Sequence, residues 1–230
     1  MPCRKLFFAG AIAILSTSSG SARDLFWVDT FNSSKTGILP AGWTGRSEAA
    51  AQFYLVAEDG KSKFLRAHTK NSHEFIGRQV TVDIVKYPYL NWRWRAQILP
   101  PGGNESIKKT GDSPASVSVI LEDDRILGIP KPKTLKYVWS TTLAQGAITK
   151  SPWAVWPSRC DIVVLQSGPA QKGVWITEKR NILQDYLKFY NLNREDVTAK
   201  VIKGIVLMSD SDNTASESAA DYDDFYFSAD

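Results

Sequence analysis

Short runs of apolar or alternating residues, broken by Gly, Pro, Asn and Asp, constrain the fold of this chain more than any other feature. Runs of this kind are typical of β-strands, and an aromatic content of 11% favours strands further. Because the runs do not alternate with helical segments, they predict a mainly β protein, an antiparallel β-sandwich rather than a parallel α/β sheet. The predicted strands are Leu25–Phe31, Phe53–Ala57, Lys63–His68, Phe75–Asp83, Tyr89–Gln97, Ala115–Leu121, Thr134–Ser140, Asp161–Gln166, Val201–Met208 and Tyr222–Ser228.

One segment breaks this pattern and predicts an amphipathic helix over Glu178–Tyr190, with Thr177 as its N-cap. Apolar residues recur there at helical spacing, so one face of the helix is expected to pack on the edge of the sandwich. These residues are Ile182, Leu183, Tyr186 and Tyr190.

The N-terminus predicts export from the cytoplasm. Two basic residues precede the mostly apolar stretch Leu6–Leu15, which is too short to span a bilayer but suits the core of a signal peptide. Small residues before Arg23 predict cleavage after Ala22, so that residues 1–22 are the signal peptide and 23–230 form one β-sandwich domain. The expected location is secreted and, within that class, periplasmic. A buried N-terminal helix or strand is the alternative.

Charge and cysteine content exclude several classes of protein. The formal net charge of +4 falls to +2 when Arg4 and Lys5 are removed, which argues against nucleic acid as the main partner. No second apolar run could span a membrane, so no stable membrane anchor is expected in the mature chain. Cleavage also removes Cys3 and leaves Cys160 alone, so no intramolecular disulfide can form. Cys160 lies in a strand-like run and is interpreted as a small buried residue.

Alternating residues in Asn91-Trp-Arg-Trp-Arg95 predict a strand with Trp92 and Trp94 on one face and Arg93 and Arg95 on the other. The tryptophan face is expected to enter the core. The arginines could be solvated, could pair with carboxylates, or could bind an anionic or hydroxyl-rich ligand.

An acidic loop follows the apolar run that ends at Met208 and places Asp210, Asp212 and Asn213 within four residues. Oxygen ligands of this kind suit hard cations, so Ca²⁺ is a candidate cofactor, although the loop lacks the glycine and closing Glu of an EF-hand. Asp224 could complete a metal site if the last strand ends beside this loop. The alternatives are hydrogen bonds to a ligand and turn-forming contacts with the local backbone.

Other catalytic constellations are incomplete in this sequence. There is no Gly-x-Ser-x-Gly motif for a serine hydrolase, and only two histidines for a zinc site. Paired carboxylates of a glycosidase remain an option, with Asp112 and Glu178 as further candidate catalytic residues.

Eight tryptophans are many for a chain of this length. Exposed rings can stack on sugars, whereas buried rings belong to the core, and the core is the default for any single Trp. The candidate ligand-binding tryptophans are Trp139, Trp153 and Trp156, of which Trp153 and Trp156 lie in the Pro-containing segment Ser151–Pro157.

Several of these segments together resemble the bacterial family known as domain of unknown function 3047, over about Phe26 to Phe227. The resemblance implies kinship with this family, but the family supplies no established activity. After Asp112 it usually has a second Asp where this chain has Ser113, and a few positions on it tends to have Arg where this chain has Ser116. The segments are Tyr87–Arg95, Lys109–Asp112, Tyr137–Trp139, Val163–Gly168, Trp175–Tyr186 and Gly204–Asn213.

A shorter likeness joins Asp29–Phe31, Leu39–Trp43 and Asp223–Phe225 to galactose-binding-type carbohydrate modules, in which a late Asp often helps to hold Ca²⁺. It implies a jelly-roll or galactose-binding-like sandwich and serves as a hint of fold alone.

The leading functional hypothesis is a non-catalytic module that binds a carbohydrate, such as an envelope polysaccharide, or another polar envelope ligand. One alternative is a carboxylate-dependent polysaccharide hydrolase or lyase. The other is a structural or protein-partner module of the envelope.

Overall fold

The computed structural model describes residues 24–60, 62–121, 124–126, 129–131, 133–155, 158–197 and 202–230. The predicted signal peptide and Trp156 lie outside the described residues. The strands in chain order are β1 Leu25–Asp29, β2 Thr44–Gly45, β3 Tyr54–Asp59, β4 Ser62–Lys70, β5 Phe75–Val82, β6 Tyr89–Ile98, β7 Ala115–Leu121, β8 Asp124–Ile126, β9 Ile129–Lys131, β10 Lys133–Ser140, β11 Ile148–Lys150, β12 Arg159–Ser167, β13 Ile176–Asn181, β14 Ile202–Met208 and β15 Glu217–Ser228. The helix α1 is Ile182–Tyr190, and single 3₁₀ turns form at Glu48–Gln52, Lys108–Thr110 and Arg194–Asp196.

Two sheets form the predicted sandwich. One has the order β13-β6-β15-β4-β3, with β1 also paired to β15, and the other has the order β11-β12-β10-β7-β14-β5-β2. Nearly all neighbouring strands are antiparallel, but β10 and β12 are parallel. The expectation of a mainly β, antiparallel-rich sandwich is therefore confirmed.

The core lies between the two sheets and is built by alternation along each strand. On β6, Trp92 and Trp94 are buried in the core, and on β10, Leu135 and Tyr137 are buried there as well. Residues between these positions point to the outer faces because successive side chains of a strand alternate. The sandwich thus has two outer faces, one on each sheet.

Three segments that gave the galactose-binding likeness meet at one end of the core. Phe31, Trp43 and Phe225 pack against one another, with ring centroids 5.9 to 6.3 Å apart. Asp29 joins them, since its Oδ2 accepts hydrogen bonds from Trp43 Nε1 at 2.8 Å and from Arg78 at 2.5 Å.

The helix begins later than the sequence predicts. Ile176–Asn181 pairs with β6 instead of forming the first helical turns, and the side chain of Asn181 accepts from the backbone N–H of Gln184 at 2.9 Å. Thr177 is therefore a strand residue, and the prediction that it caps the helix is wrong. Pairing with β6 gives residues 176–181 backbone hydrogen bonds along their whole length, which outweighs a local helical pattern.

Within the part of the chain that the structure describes, no helix is both long and apolar enough to cross a membrane.

Candidate functional site

An open cleft of about 460 Å³ lies on the outer face of the seven-stranded sheet, and we call it the acidic cleft. Its floor comes from outward residues of β10, β12 and β14, and its walls come from the loops around residues 103–114, 151–155 and 209–216. The lining residues are Arg46, His73, Glu105, Gly111, Lys136, Ser151, Trp153, Cys160, Ile162, Met208, Asp210, Asp212 and Asn213.

Strand pairing explains why distant carboxylates meet in this cleft. β7 and β14 are antiparallel neighbours, with Met208 opposite Ser116, so the end of β14 lies beside the start of β7. Asp112 precedes β7 and Asp210 follows β14. The backbone N–H of Asp210 donates to the carbonyl of Ser113 at 3.0 Å, which ties the two loops together.

Three aspartates converge at this junction. Asp112, Asp210 and Asp212 each offer a carboxylate oxygen, and these atoms lie within 4.8 Å of one another. This arrangement could hold a metal ion. Asp224, which the sequence placed in a candidate metal site, lies on the other sheet and contacts Arg93 instead. Among the described residues, Asp112 takes its place in the cluster.

Asp112 is held by the loop that it faces. Its Oδ1 accepts from the backbone N–H of Asn213 at 3.1 Å, and its Oδ2 accepts from the backbone N–H and the hydroxyl of Thr214 at 2.7 and 2.6 Å. These bonds stabilise a carboxylate and fix the loop that carries Asp212 and Asn213.

Asp210 is the most perturbed member of the cluster. It is 6% exposed, and its Oδ1 is buried without a hydrogen-bond partner in the described residues. Burial, together with the charges of Asp112 and Asp212 and against the opposing effect of Lys136, raises the pKa of Asp210 to about 8. At neutral pH the carboxyl is therefore largely protonated unless a cation joins it.

The rest of the cleft adds both polar and aromatic groups. His73 Nδ1 lies 2.8 Å from Asp212 Oδ2. Glu105 is buried and accepts from Ser140 Oγ at 2.6 Å, and burial raises the pKa of its carboxyl. Trp153 is 51% exposed at the rim, and the ammonium of Lys108 lies 4.5 Å from the centroid of its ring.

Gly111 allows these groups to approach one another. A Cβ added there would lie 3.1 Å from Trp153 Nε1 and 3.3 Å from Asn213 Oδ1, which is closer than ordinary van der Waals contact. A side chain at this position would push the Trp and the amide apart.

The sequence-predicted residues that the structure describes lie in three places. Trp153, Asp210, Asp212 and Asn213 line the acidic cleft, with Asp112 beside them in the aspartate cluster. Arg93, Arg95, Glu178 and Asp224 lie on the other sheet, and Trp139 lies in the core. Sequence reasoning missed Glu105, Lys136 and Arg46, because only the pairing of distant strands brings these residues to the cleft. His73, one of the two histidines of the chain, also lines the cleft.

Arg95 is bound within an ion-pair network on the outer face of the six-stranded sheet. Asp221 is fully buried and accepts from Arg66 Nε at 2.8 Å, from Arg95 Nε at 2.7 Å and from Gln97 at 3.0 Å. The Arg95 guanidinium also lies 4.5 Å from the centroid of the Trp175 ring. Of the three alternatives for this arginine, the structure shows pairing with a carboxylate.

The side chains of Trp139 and Glu178 also form hydrogen bonds within the protein. Trp139 is fully buried, and its Nε1 donates to the carbonyl of Gly168 at 3.1 Å, so its place in the core contradicts a ligand contact. Glu178 Oε1 accepts from Trp94 Nε1 at 3.1 Å and from Gln166 at 2.8 Å, and burial raises the pKa of its carboxyl. It lies on β13 of the six-stranded sheet, apart from the aspartate cluster.

The chain belongs to the family described as protein of unknown function (DUF3047), whose model matches residues 41–226. This match confirms the resemblance seen in the sequence motifs. No curated protein matches the sequence.

Solved structures with a similar arrangement of strands include proteins that act on or bind polysaccharides. An endo-1,4-β-glucanase, CelB2, is 8% identical with a TM-score of 0.46, covering 89% of this chain and 98% of that one. A carbohydrate-binding module specific for non-crystalline cellulose, CBM28, is 8% identical with a TM-score of 0.40 (86% and 96%). The K3 cleaved adhesin domain of Lys-gingipain from Porphyromonas gingivalis W83 is 8% identical with a TM-score of 0.37 (87% and 97%). Similarity at this level carries no ligand or activity over to this chain.

Proposed function

We propose that this protein is a secreted, periplasmic polysaccharide-binding protein that uses the acidic cleft, with a divalent cation such as Ca²⁺ at the aspartate cluster. One observation carries the proposal: three carboxylates converge within 4.8 Å in an open cleft, close to a half-exposed Trp ring. The cluster offers oxygens to a cation, and the ring offers an apolar face to a sugar.

The cation part of the proposal rests on the unbalanced charge of the cluster. Asp210 has a buried oxygen without a described partner, and ionising it beside two further carboxylates is unfavourable. A bound cation removes that cost. Asp112, Asp210 and Asp212 would hold it, with Asn213 as a neutral oxygen ligand, a donor set that suits Ca²⁺. The cation would then supply coordination positions for ligand hydroxyls.

The polysaccharide part rests on Trp153 and the open shape of the cleft. A pyranose ring presents an apolar face that can stack on indole, while its hydroxyls need donors and acceptors nearby. Lys136, His73 and Asp212 line the same cleft and offer both.

The carboxylate geometry supports binding over hydrolysis. Glycosidases place two carboxyl groups on opposite sides of the scissile bond, about 5–10 Å apart. Here Asp210 and Asp212 come from one loop and have oxygens within 4.8 Å of each other and of Asp112, which also accepts three hydrogen bonds from the loop. A cluster packed this closely suits a single cation.

The proposed periplasmic location of the protein rests on the sequence of residues 1–22, which has a basic start, a short apolar core and small residues before Arg23. Envelope polysaccharide is the ligand class that such a location offers.

Thermal melting of the purified protein tests both parts. With Ca²⁺ well above its dissociation constant we expect the melting temperature to rise by several degrees, because a ligand that binds only the folded state stabilises it by mass action. EDTA should reverse the shift, and Asp212→Asn should abolish it. Glu217→Gln, an exposed acid outside the cleft, is the matched control.

Polysaccharides added with Ca²⁺ should give a further shift that Trp153→Ala reduces. Assay of new reducing ends in the same mixtures tests for turnover. If reducing ends accumulate and Asp210→Asn stops them, the hydrolase alternative replaces the binding proposal.

A further inference from the structure

An aromatic platform lies on the outer face of the six-stranded sheet. Phe26 and Val28 pack toward the core, so Trp27 between them projects outward. Tyr226 is its partner across β1 and β15, and the two ring centroids are 4.7 Å apart with planes inclined by 43°. Trp27 is 52% exposed, so this pair presents a large apolar surface to solvent.

A pocket of about 280 Å³ opens beside this pair, and we call it the aromatic pocket. Polar groups complete its wall, and Trp92, whose side chain packs in the core, also lines it. The lining residues are Trp27, Trp92, Arg93, Thr177, Asp224 and Tyr226.

A β-bulge shapes the polar wall. The register between β15 and β6 shifts between Asp223 and Tyr226, and Asp224 adopts a left-handed backbone with φ of 54°. In a regular strand two adjacent side chains would point to opposite faces. The bulge instead directs both carboxylates at Arg93, at 2.5 Å from Asp223 and 3.0 Å from Asp224.

The charges of this wall favour a neutral ligand. Among the described residues that line the pocket, Arg93 is the one cation, and it is shared between two carboxylates, so the pocket does not attract an anionic sugar. The side chain of Asp224 is 39% exposed and has lone pairs available for hydroxyl donors, and the Thr177 hydroxyl is exposed beside it.

We propose that the aromatic pocket is a second polysaccharide site, which stacks a neutral pyranose ring on Trp27 and Tyr226 and binds its hydroxyls through Asp224 and Thr177. The ligand class rests on the proposed function of the acidic cleft, but the two sites share no residue. They lie on opposite outer faces of the sandwich, so one molecule bridges two polymer chains.

Affinity gel electrophoresis separates the two sites. Purified protein would run in gels containing hydroxyethyl cellulose, xyloglucan or agarose, with polygalacturonate as the anionic comparison and Ca²⁺ throughout. The variants are Trp27→Ala, Asp224→Asn, Trp153→Ala and the Trp27/Trp153 double variant. Val85→Ala removes an exposed apolar side chain outside both sites and serves as the control. Asn suits the left-handed backbone, so Asp224→Asn removes the charge without losing the bulge.

Single Trp variants should each keep part of the retardation, and the double variant should lose it. Asp224→Asn should weaken retardation by the neutral polymers about threefold or more. Wild-type protein should also aggregate the neutral polymer that it binds, as a bivalent ligand does, and either single Trp variant should abolish the turbidity.

Any other pattern of retardation contradicts one of the two proposed sites, or both. If Trp153→Ala removes all retardation and Trp27→Ala removes none, the aromatic pocket is not a polysaccharide site while the cleft stands. If the effects are reversed, the pocket stands and the cleft proposal fails. If none of the four polymers retards the wild-type protein, both proposals fail.

Discussion

At the scale of single residues, the protein holds charges in two very different ways. On the six-stranded sheet, Asp221 is fully buried but receives two arginines and an amide. In the acidic cleft, Asp210 is almost as buried but has two carboxylates as neighbours. The first arrangement stabilises the fold, whereas the second is unfavourable until a proton or a cation joins it.

Asp210 should make the stability of the ligand-free protein fall as the pH rises. Its pKa is raised from 3.8 to about 8 on folding, so between these values the folded state binds one more proton than the unfolded state. Its contribution is fully present below about pH 4 and is lost as the pH approaches 8, by up to about 1.4 kcal/mol per pH unit. Asp210→Asn should therefore gain stability over wild type between pH 5 and pH 8, measured by urea denaturation in EDTA. The same pH slope in both proteins would contradict the assignment.

Asp221 should be needed for stability rather than for ligand binding. Asp221→Ala leaves the Arg95 guanidinium, which is 14% exposed at its side chain, without its buried partner, and should cost about 3–5 kcal/mol in the free energy of unfolding. Glu217→Ala removes an exposed acid on the same strand and should cost less than about 1 kcal/mol. Equal costs would mean that the network does not stabilise the sheet.

At the scale of elements, the sequence predicted strands and faces better than it predicted partners. The alternation of Trp92 and Arg93 gave the correct strand and the correct core face, because that period is local. The meeting of Asp112 with Asp210 depends on the pairing of β7 with β14, which are about 90 residues apart in sequence, and no local pattern specifies it. The bulge at Asp224 could not be predicted for the same reason, because the local sequence is equally compatible with a regular strand.

The boundary between β13 and α1 gives a direct test of the element assignments. Asn181→Ala should remove the N-cap hydrogen bond to Gln184 and lower the free energy of unfolding by about 1 kcal/mol. Thr177→Ala, at the predicted cap that is a strand residue in the structure, should change stability by less than half of that. If chemical denaturation shows a larger loss of stability for Thr177→Ala than for Asn181→Ala, the longer helix predicted from the sequence is correct.

Gly111 should matter for ligand binding more than for folding. Its φ is −70°, so an alanine fits the backbone, but the added Cβ would crowd Trp153 and Asn213. Gly111→Ala should reduce polysaccharide retardation in the affinity gels while leaving the melting temperature within about 4 °C of wild type, the shift expected from about 1 kcal/mol. Unchanged retardation would mean that the Trp ring and the amide do not act together.

At the scale of the whole molecule, the sandwich separates two polar surfaces by one core. The sequence analysis named Arg93, Asp212 and several tryptophans as candidate ligand contacts. The structure places Arg93 on one outer face and Asp212 on the other, because β6 and β14 belong to different sheets. A β-sandwich with one binding surface on each face is suited to linking polymer chains, which is the activity that we propose for it.

Calcium dependence of polysaccharide binding tests this account most directly. Retardation of the purified protein in gels of each neutral polymer would be measured with Ca²⁺ and with EDTA, for wild type, Asp212→Asn and Trp153→Ala. We predict that EDTA and Asp212→Asn each weaken retardation about tenfold and that Trp153→Ala weakens it with Ca²⁺ present. Retardation that is the same in Ca²⁺ and EDTA, and the same in Asp212→Asn as in wild type, would contradict the cation-dependent cleft.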